Sequence, residues 1–132
     1  MSGREEADML LCMARKDYRA LVGMSEAELF DDEIFGFHAQ QTAEKCLKAI
    51  IAALNHEYPL THDLSLLLSK LEQLGHPLDT YWELVDLNFY AVRFRYEPYP
   101  DSDEAVDRRS VLNLLSRLVA HVEKFLGNPS LD

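Results

Sequence analysis

The apolar residues of this chain recur with the period of an α-helix over most of its 132 residues. In the first segment they follow the spacing i, i+3, i+4, i+7, which forms one stripe along an amphipathic helix. The members of this stripe are Ala7, Leu10, Leu11, Ala14, Tyr18, Leu21 and Val22. No stretch alternates apolar and polar residues as a half-buried strand does, and no Asn-Gly or Asp-Gly hairpin turn is present. The pattern therefore predicts an all-α fold.

Capping residues, glycines and prolines divide the chain into helical segments. The first helix is expected to end at Gly23, and the second to run from Asp31 or Asp32 to about Asn55. The third is expected from Thr61 or Asp63 to Gly75, and a fourth segment from Asp79 or Thr80. The last helix is expected to be capped by Asp101-Ser102-Asp103-Glu104. The connections are short, as in antiparallel bundles. We expect an antiparallel up-and-down bundle of four main helices plus one or two short helices. It forms a single domain over residues 1–132, with a core from about 4 to 127.

The net charge of −10 limits the partners that the whole surface can bind. Nucleic-acid binding draws on clustered Lys and Arg, so a surface that wraps nucleic acid is not expected. A local basic pocket remains compatible with this charge, because the field depends on how charges are distributed.

Two cysteines without C-x-x-C spacing, Cys12 and Cys46, predict neither a disulfide framework nor a zinc site. We expect both to be buried and reduced, as in a cytoplasmic protein. The first residues lack the apolar region of a signal peptide, and no apolar run is long enough to cross a membrane. No H-E-x-x-H sequence and no glycine-rich phosphate loop occur, so neither a metal nor a cofactor is expected.

The second helix carries polar residues that its core pattern does not require. At 100° per residue, one face is apolar, and the opposite face holds His38, Gln41, Lys45 and Lys48. Gln40 lies at the border of the apolar face, where its amide needs partners. We expect polar chemistry on this helix.

Two further groups are candidates for chemistry. Arg93 and Arg95, with Tyr96 as a stacking surface, suit a phosphate or nucleotide clamp. The alternative is a loop whose arginines pair with the acids at 101–104. His62 suits a general base or an anion contact, and its alternative is a capping histidine. The remaining histidines, His38, His56, His76 and His121, are expected to be structural.

Three motifs resemble the HEPN domain family (higher eukaryotes and prokaryotes nucleotide-binding). Residues 37–48 are similar to its A-Q-Q-A-A-E-K-x-L-K helix, Thr61-His62-Asp63-Leu64 to its T-H-D-L helix start, and Arg93-Phe94-Arg95-Tyr96 to its R-Y motif. The resemblance covers nearly the whole chain, from about Glu5 to Phe125. It implies a bundle that dimerises and that is often encoded beside a minimal nucleotidyltransferase, as toxin and antitoxin.

The resemblance also implies a phosphate-facing site. The matching polar residues are Gln41, Lys45, Lys48, His62, Arg93, Arg95 and Tyr96. Many relatives are ribonucleases with an R-x(4–6)-H motif, in which Arg stabilises phosphate charge and His performs acid–base work. After Arg93 or Arg95 no histidine occurs until His121, outside that spacing.

Three functions follow from these patterns. The leading hypothesis is a dimeric module that binds nucleotide or RNA phosphate and acts with a nucleotidyltransferase. The second is a toxin-like, metal-independent ribonuclease with His62 and Arg95 as catalytic candidates. The third is a structural subunit that binds only protein. The missing motif histidine favours binding over catalysis.

Overall fold

α-Helices supply most of the regular structure in the computed structural model, which describes residues 2–24, 29–91 and 107–127. The helices are α1 (Gly3–Gly23), α2 (Asp32–Ala53), α3 (Leu64–Gln73) and α4 (Arg108–Leu126), with a 3₁₀ helix, η1 (Asp79–Leu87), between α3 and α4. Within the described ranges no residue belongs to a strand. The predicted all-α bundle of four main helices and a short one is confirmed.

Cross-helix contacts give the directions of α1, α2 and α4. Gly3 at the start of α1 lies against Ala52 near the end of α2, whereas Asp17 bonds to side chains nearer the start of α2. α1 and α2 therefore run antiparallel. α1 and α4 are also antiparallel, because Arg15 bonds to Glu123 while Met24, just after α1, bonds to the first residue of α4.

Side-chain caps fix the helix starts. The Ser2 hydroxyl accepts from the Glu5 amide at 3.1 Å, and the Asp107 carboxylate accepts from the Ser110 amide at 3.2 Å. Such caps satisfy backbone donors that the first turn leaves unpaired. The described part of α4 begins at Arg108 with Asp107 as its cap, and the predicted cap at Asp101–Glu104 lies outside the described residues.

The core is centred on α2, which packs against α1, α3, η1 and α4. The expected apolar face of α2 is buried, but so are Gln40, Thr42 and Glu44, at 0%, 0% and 5% exposure. Lys45 and Lys48, expected on the opposite face, are only 19% and 12% exposed. The two-faced pattern therefore understates the burial of α2, because neighbours also cover its polar side.

Three apolar predictions at helix edges are wrong. Cys12 and Val22 are exposed, and Phe125 is 37% exposed, with Leu126 buried in its place. Leu11 and Leu21 occupy the neighbouring inward positions of α1. Adjacent apolar residues on a helix are 100° apart, so only one of each pair points fully into the core.

Arg108 anchors the start of α4. Its guanidinium donates to the carbonyl of Met24 at 2.7 Å, to the carbonyl of Phe30, and to Asp32 Oδ1 at 2.9 Å. It also lies 5.0 Å from the centre of the Phe35 ring. These contacts explain how an arginine of 9% exposure is accommodated, since buried charges need partners.

Candidate functional site

The Glu44 carboxylate is the centre of a hydrogen-bonded cluster on α2. Its Oε1 accepts from Gln40 Nε2 at 3.1 Å and lies 2.9 Å from His62 Nδ1. Its Oε2 accepts from Lys48 Nζ at 3.0 Å. Both oxygens of a buried carboxylate are therefore satisfied, as burial of a charge requires. We call Gln40, Glu44, Lys48 and His62 the Glu44 cluster.

Helix geometry places three members of the Glu44 cluster on one face. Gln40, Glu44 and Lys48 are four residues apart, so their side chains are neighbours along α2. Gln40 Nε2 also donates to the carbonyl of His62 at 2.7 Å, which ties the incoming loop to the helix. Gln41 donates to Gln40 Oε1 at 2.8 Å. The adjacent glutamines thus orient each other, and through Gln40 they position His62.

The start of α3 holds His62 from the other side. Asp63 caps this helix by accepting from the Ser65 amide at 2.9 Å and the Ser65 hydroxyl at 2.7 Å. Asn88, just after η1, donates to Asp63 Oδ1 at 2.7 Å and accepts from the Leu64 amide at 2.9 Å. Hydrogen bonds from Ser65, and then from Asn88, keep the pKa of Asp63 below its ordinary value despite some desolvation. The backbone next to His62 is therefore fixed.

Glu44 is ionised at neutral pH. Burial raises the pKa of its carboxyl, but the hydrogen bonds from His62, Lys48 and Gln40 and the charge of Lys48 outweigh burial, so the pKa lies below the ordinary 4.5. An ionised carboxylate only accepts hydrogen bonds, so Nδ1 of His62 must carry a proton. A neutral His62 then has its lone pair on Nε2.

The His62 ring is largely exposed to solvent. The side chain is 57% exposed, against 7% for Glu44. Within residues 2–24, 29–91 and 107–127, the only side chain that the ring bonds to is Glu44, through Nδ1. A buried carboxylate thus holds one edge of an imidazole whose other edge is available to a ligand.

Lys48 lies on the buried side of the Glu44 cluster. Its ammonium lies 5.3 Å from the centre of the Tyr58 ring, and Tyr58 donates its hydroxyl proton to Glu6 Oε1 at 2.6 Å. This hydrogen bond, with burial and the Glu6 charge, raises the pKa of Tyr58 to about 12. Lys48 is therefore paired on two sides, and it fixes Glu44 more than it faces solvent.

Lys45 belongs to a second cluster. Its ammonium pairs with Asp17 Oδ2 of α1 at 2.5 Å, and His38 Nδ1 lies 3.4 Å from Asp17 Oδ1. We call these three residues the Asp17 cluster. The structure thus separates the predicted α2 residues into two groups. Gln41 and Lys48 are linked to His62 through Gln40 and Glu44, whereas Lys45 is directed towards α1.

Three sequence candidates lie outside the described residues, namely Arg93, Arg95 and Tyr96. In the parts of the chain that are described, no group of three or more His, Cys, Asp or Glu residues is placed to hold a metal ion. In the same parts, no helix is both long and apolar enough to cross a membrane.

Glu44 and Asn88 were not among the sequence candidates. A signal for Glu44 was present, because it lies four residues after Gln40 and four before Lys48. Asn88 carried no such signal, since its role depends on the position of η1 relative to α3.

The fold and the Glu44 cluster define an α-helical domain whose central helix positions a histidine at the start of the next helix. The model of the HEPN domain family matches residues 7–125. The chain therefore belongs to the HEPN domain family, and family membership implies a nucleotide- or RNA-related module in general. No curated protein and no solved structure gives a significant match.

Proposed function

We propose that this protein is a binding module in which His62 contacts the phosphate of a nucleotide or of RNA. This function does not require catalysis. One observation carries the proposal: the buried, ionised Glu44 fixes Nδ1 of an imidazole that is 57% exposed. A ring held in this way presents Nε2 to solvent with little loss of side-chain freedom on binding. When protonated, Nε2 donates a charge-assisted hydrogen bond to a phosphate oxygen.

The charges of the Glu44 cluster support a single phosphate contact. Lys48 and Glu44 neutralise each other, so the pair adds little net field for a ligand. Further positive charge would come from Arg93 and Arg95, which the sequence places before α4. Because salt screens the attraction between these cationic side chains and a phosphate, such binding should weaken as salt rises.

Titration with nucleotides and short RNA at low and high salt tests the proposal. Wild type should show saturable binding, and His62→Ala should weaken it about tenfold, because hydrogen bonds to charged groups contribute about 1.5–3 kcal/mol. His56→Ala is the matched control, since His56 is an exposed histidine outside the Glu44 cluster. No binding by wild type, or equal losses in both variants, would contradict the proposal.

A ribonuclease activity is the second candidate. The same geometry favours it, because a carboxylate that orients a histidine is a common arrangement for general acid–base work. His62 would move the proton and Arg95 would stabilise phosphate charge. RNA cleavage by wild type should fall about a hundredfold or more in His62→Ala and in Arg95→Ala. Cleavage no faster than in a mock preparation would eliminate this candidate.

Dimerisation and a nucleotidyltransferase partner complete the proposal, and family membership supports both. Light scattering on the purified protein should give twice the chain mass of 15.2 kDa. Co-purification with the product of a neighbouring nucleotidyltransferase gene should give a complex that survives His62→Ala. A monomer that captures no such partner would remove this part of the proposal.

A further inference from the structure

Two histidines outside the Glu44 cluster lie close to each other. His76 follows α3, and His121 lies in the last third of α4. Their Nε2 atoms are 3.0 Å apart, and the ring centres are 5.2 Å apart at an angle of 63°. The two nitrogens, each able to carry a lone pair or a proton, therefore face each other at hydrogen-bond distance.

The backbone holds His76 in this place. Gly75 adopts a left-handed φ of 80°, which ends α3 and turns the chain. The His76 amide then donates to the carbonyl of Leu71 at 2.8 Å. The His76 ring also packs on Phe125 in an edge-to-face arrangement, with ring centres 4.8 Å apart. The turn after α3 thus holds His76 against α4.

Burial favours the neutral form of both imidazoles. Burial, and then the neighbouring His121, lower the pKa of His76, and burial with the Lys124 charge lowers the pKa of His121. Both rings are therefore mostly neutral at neutral pH, and neutral imidazole is the form that ligates metals.

The separation of the two nitrogens suits ligands of one ion. Zn²⁺ binds histidine nitrogen at about 2.0–2.1 Å, so two such ligands in a tetrahedral site lie about 3.3 Å apart. From the observed 3.0 Å, the two nitrogens must separate slightly, and both rings must turn so that their lone pairs meet at one ion. The alternative is a hydrogen bond, in which one Nε2 carries a proton and donates it to the other. Coordination excludes that proton, which would move to Nδ1, so the two states are mutually exclusive.

Open space adjoins the His121 side of the pair. A cleft of about 430 Å³ is lined by His121, Lys124 and Phe125, and His76 is not part of its lining. Water entering from this cleft would supply the remaining coordination positions. The Lys124 charge opposes a cation, but this side chain is exposed, so water screens it.

We propose that His76 and His121 form a two-histidine site for a divalent transition-metal ion of the Zn²⁺ type, with water in the open positions. Such a site would join the end of α3 to α4. It is independent of the proposed nucleotide site, and no sequence motif marks it because the two histidines are 45 residues apart.

Calorimetric titration of the metal-free protein with Zn²⁺ tests this site. Wild type should bind one ion per chain, and His76→Ala and His121→Ala should each raise the Kd by more than about tenfold, since each removes one of two protein ligands. His56→Ala should leave the Kd unchanged. Mg²⁺ should not bind, because it prefers oxygen ligands.

Imidazole nitrogen resonances of wild type give a second test that does not depend on variants. Zn²⁺ should shift Nε2 of both His76 and His121, and should raise the melting temperature by stabilising the native state. Absence of saturable binding, or binding that leaves both Nε2 resonances and both alanine variants unaffected, would show that the pair is a hydrogen bond only.

Discussion

The Glu44 and Asp17 clusters contain the same three kinds of side chain in different surroundings. In each, a carboxylate lies between a lysine of α2 and a histidine. The Glu44 side chain is 7% exposed and accepts from a third donor, Gln40, whereas the Asp17 side chain is 18% exposed and joins α1 to α2. His62 is 57% exposed, and His38 is 33% exposed. Of these two clusters, the Glu44 cluster therefore has both the more buried carboxylate and the more exposed histidine.

The difference in burial gives the largest expected effect. Glu44→Ala leaves Lys48 mostly buried without its carboxylate, so we expect a loss of about 3 kcal/mol in the free energy of unfolding, as when one partner of a buried pair is removed. Asp17→Ala should cost about 1 kcal/mol, because its partners are closer to solvent. Urea unfolding at neutral pH measures both. An equal or larger loss in Asp17→Ala would reverse the comparison.

Gln40, the third donor to Glu44, gives the next largest expected effect. Gln40→Ala removes the buried bond to Glu44 and the partly buried bond to the His62 carbonyl, and should cost about 2 kcal/mol. Gln41→Ala, the matched neighbour, removes one bond at the edge and should cost about 0.5–1 kcal/mol. Thermal unfolding compares them. If Gln41→Ala were the more harmful change, Gln40 would not be the anchor of the loop.

The sequence made the bundle predictable but not the division of α2 between two clusters. The i, i+3, i+4 spacing was sufficient for the inward residues Leu11, Leu47 and Leu118, since helix period alone sets their direction. Lys45 and Lys48 lie about 60° apart on the helix, which is close enough to share a predicted face. They nevertheless meet different neighbours, α1 and the loop before α3, and only the packing of those elements decides this.

Lowering the pH should reduce the contribution of Glu44 to the stability of the folded protein. The pKa of Glu44 is lower in the folded protein than its ordinary 4.5, so its contribution to stability is present above that value and is lost as pH falls through the folded pKa. Glu44→Gln should therefore flatten this part of the stability profile. Unfolding measured from pH 7 to pH 3 in wild type and Glu44→Gln tests this, and identical slopes would contradict it.

The support behind His62 should have a smaller effect than Glu44 or Gln40. Asn88→Ala removes the bonds to Asp63 and to the Leu64 amide, and should cost about 1 kcal/mol, as the loss of a helix cap does. Asn113→Ala, on the exposed surface of α4, is the control and should be near neutral. If both variants unfolded at the same urea concentration as wild type, Asn88 would not fix the start of α3.

The central claim is that Glu44 holds Nδ1–H of His62 so that Nε2 faces a phosphate ligand. A long-range ¹H–¹⁵N spectrum of the histidine rings, recorded during titration with a nucleotide, tests it directly. The account predicts a protonated Nδ1 in free His62, a ligand-dependent shift of its Nε2, and no shift for His38 in the Asp17 cluster. Binding that shifts His38 and leaves His62 unchanged would contradict it.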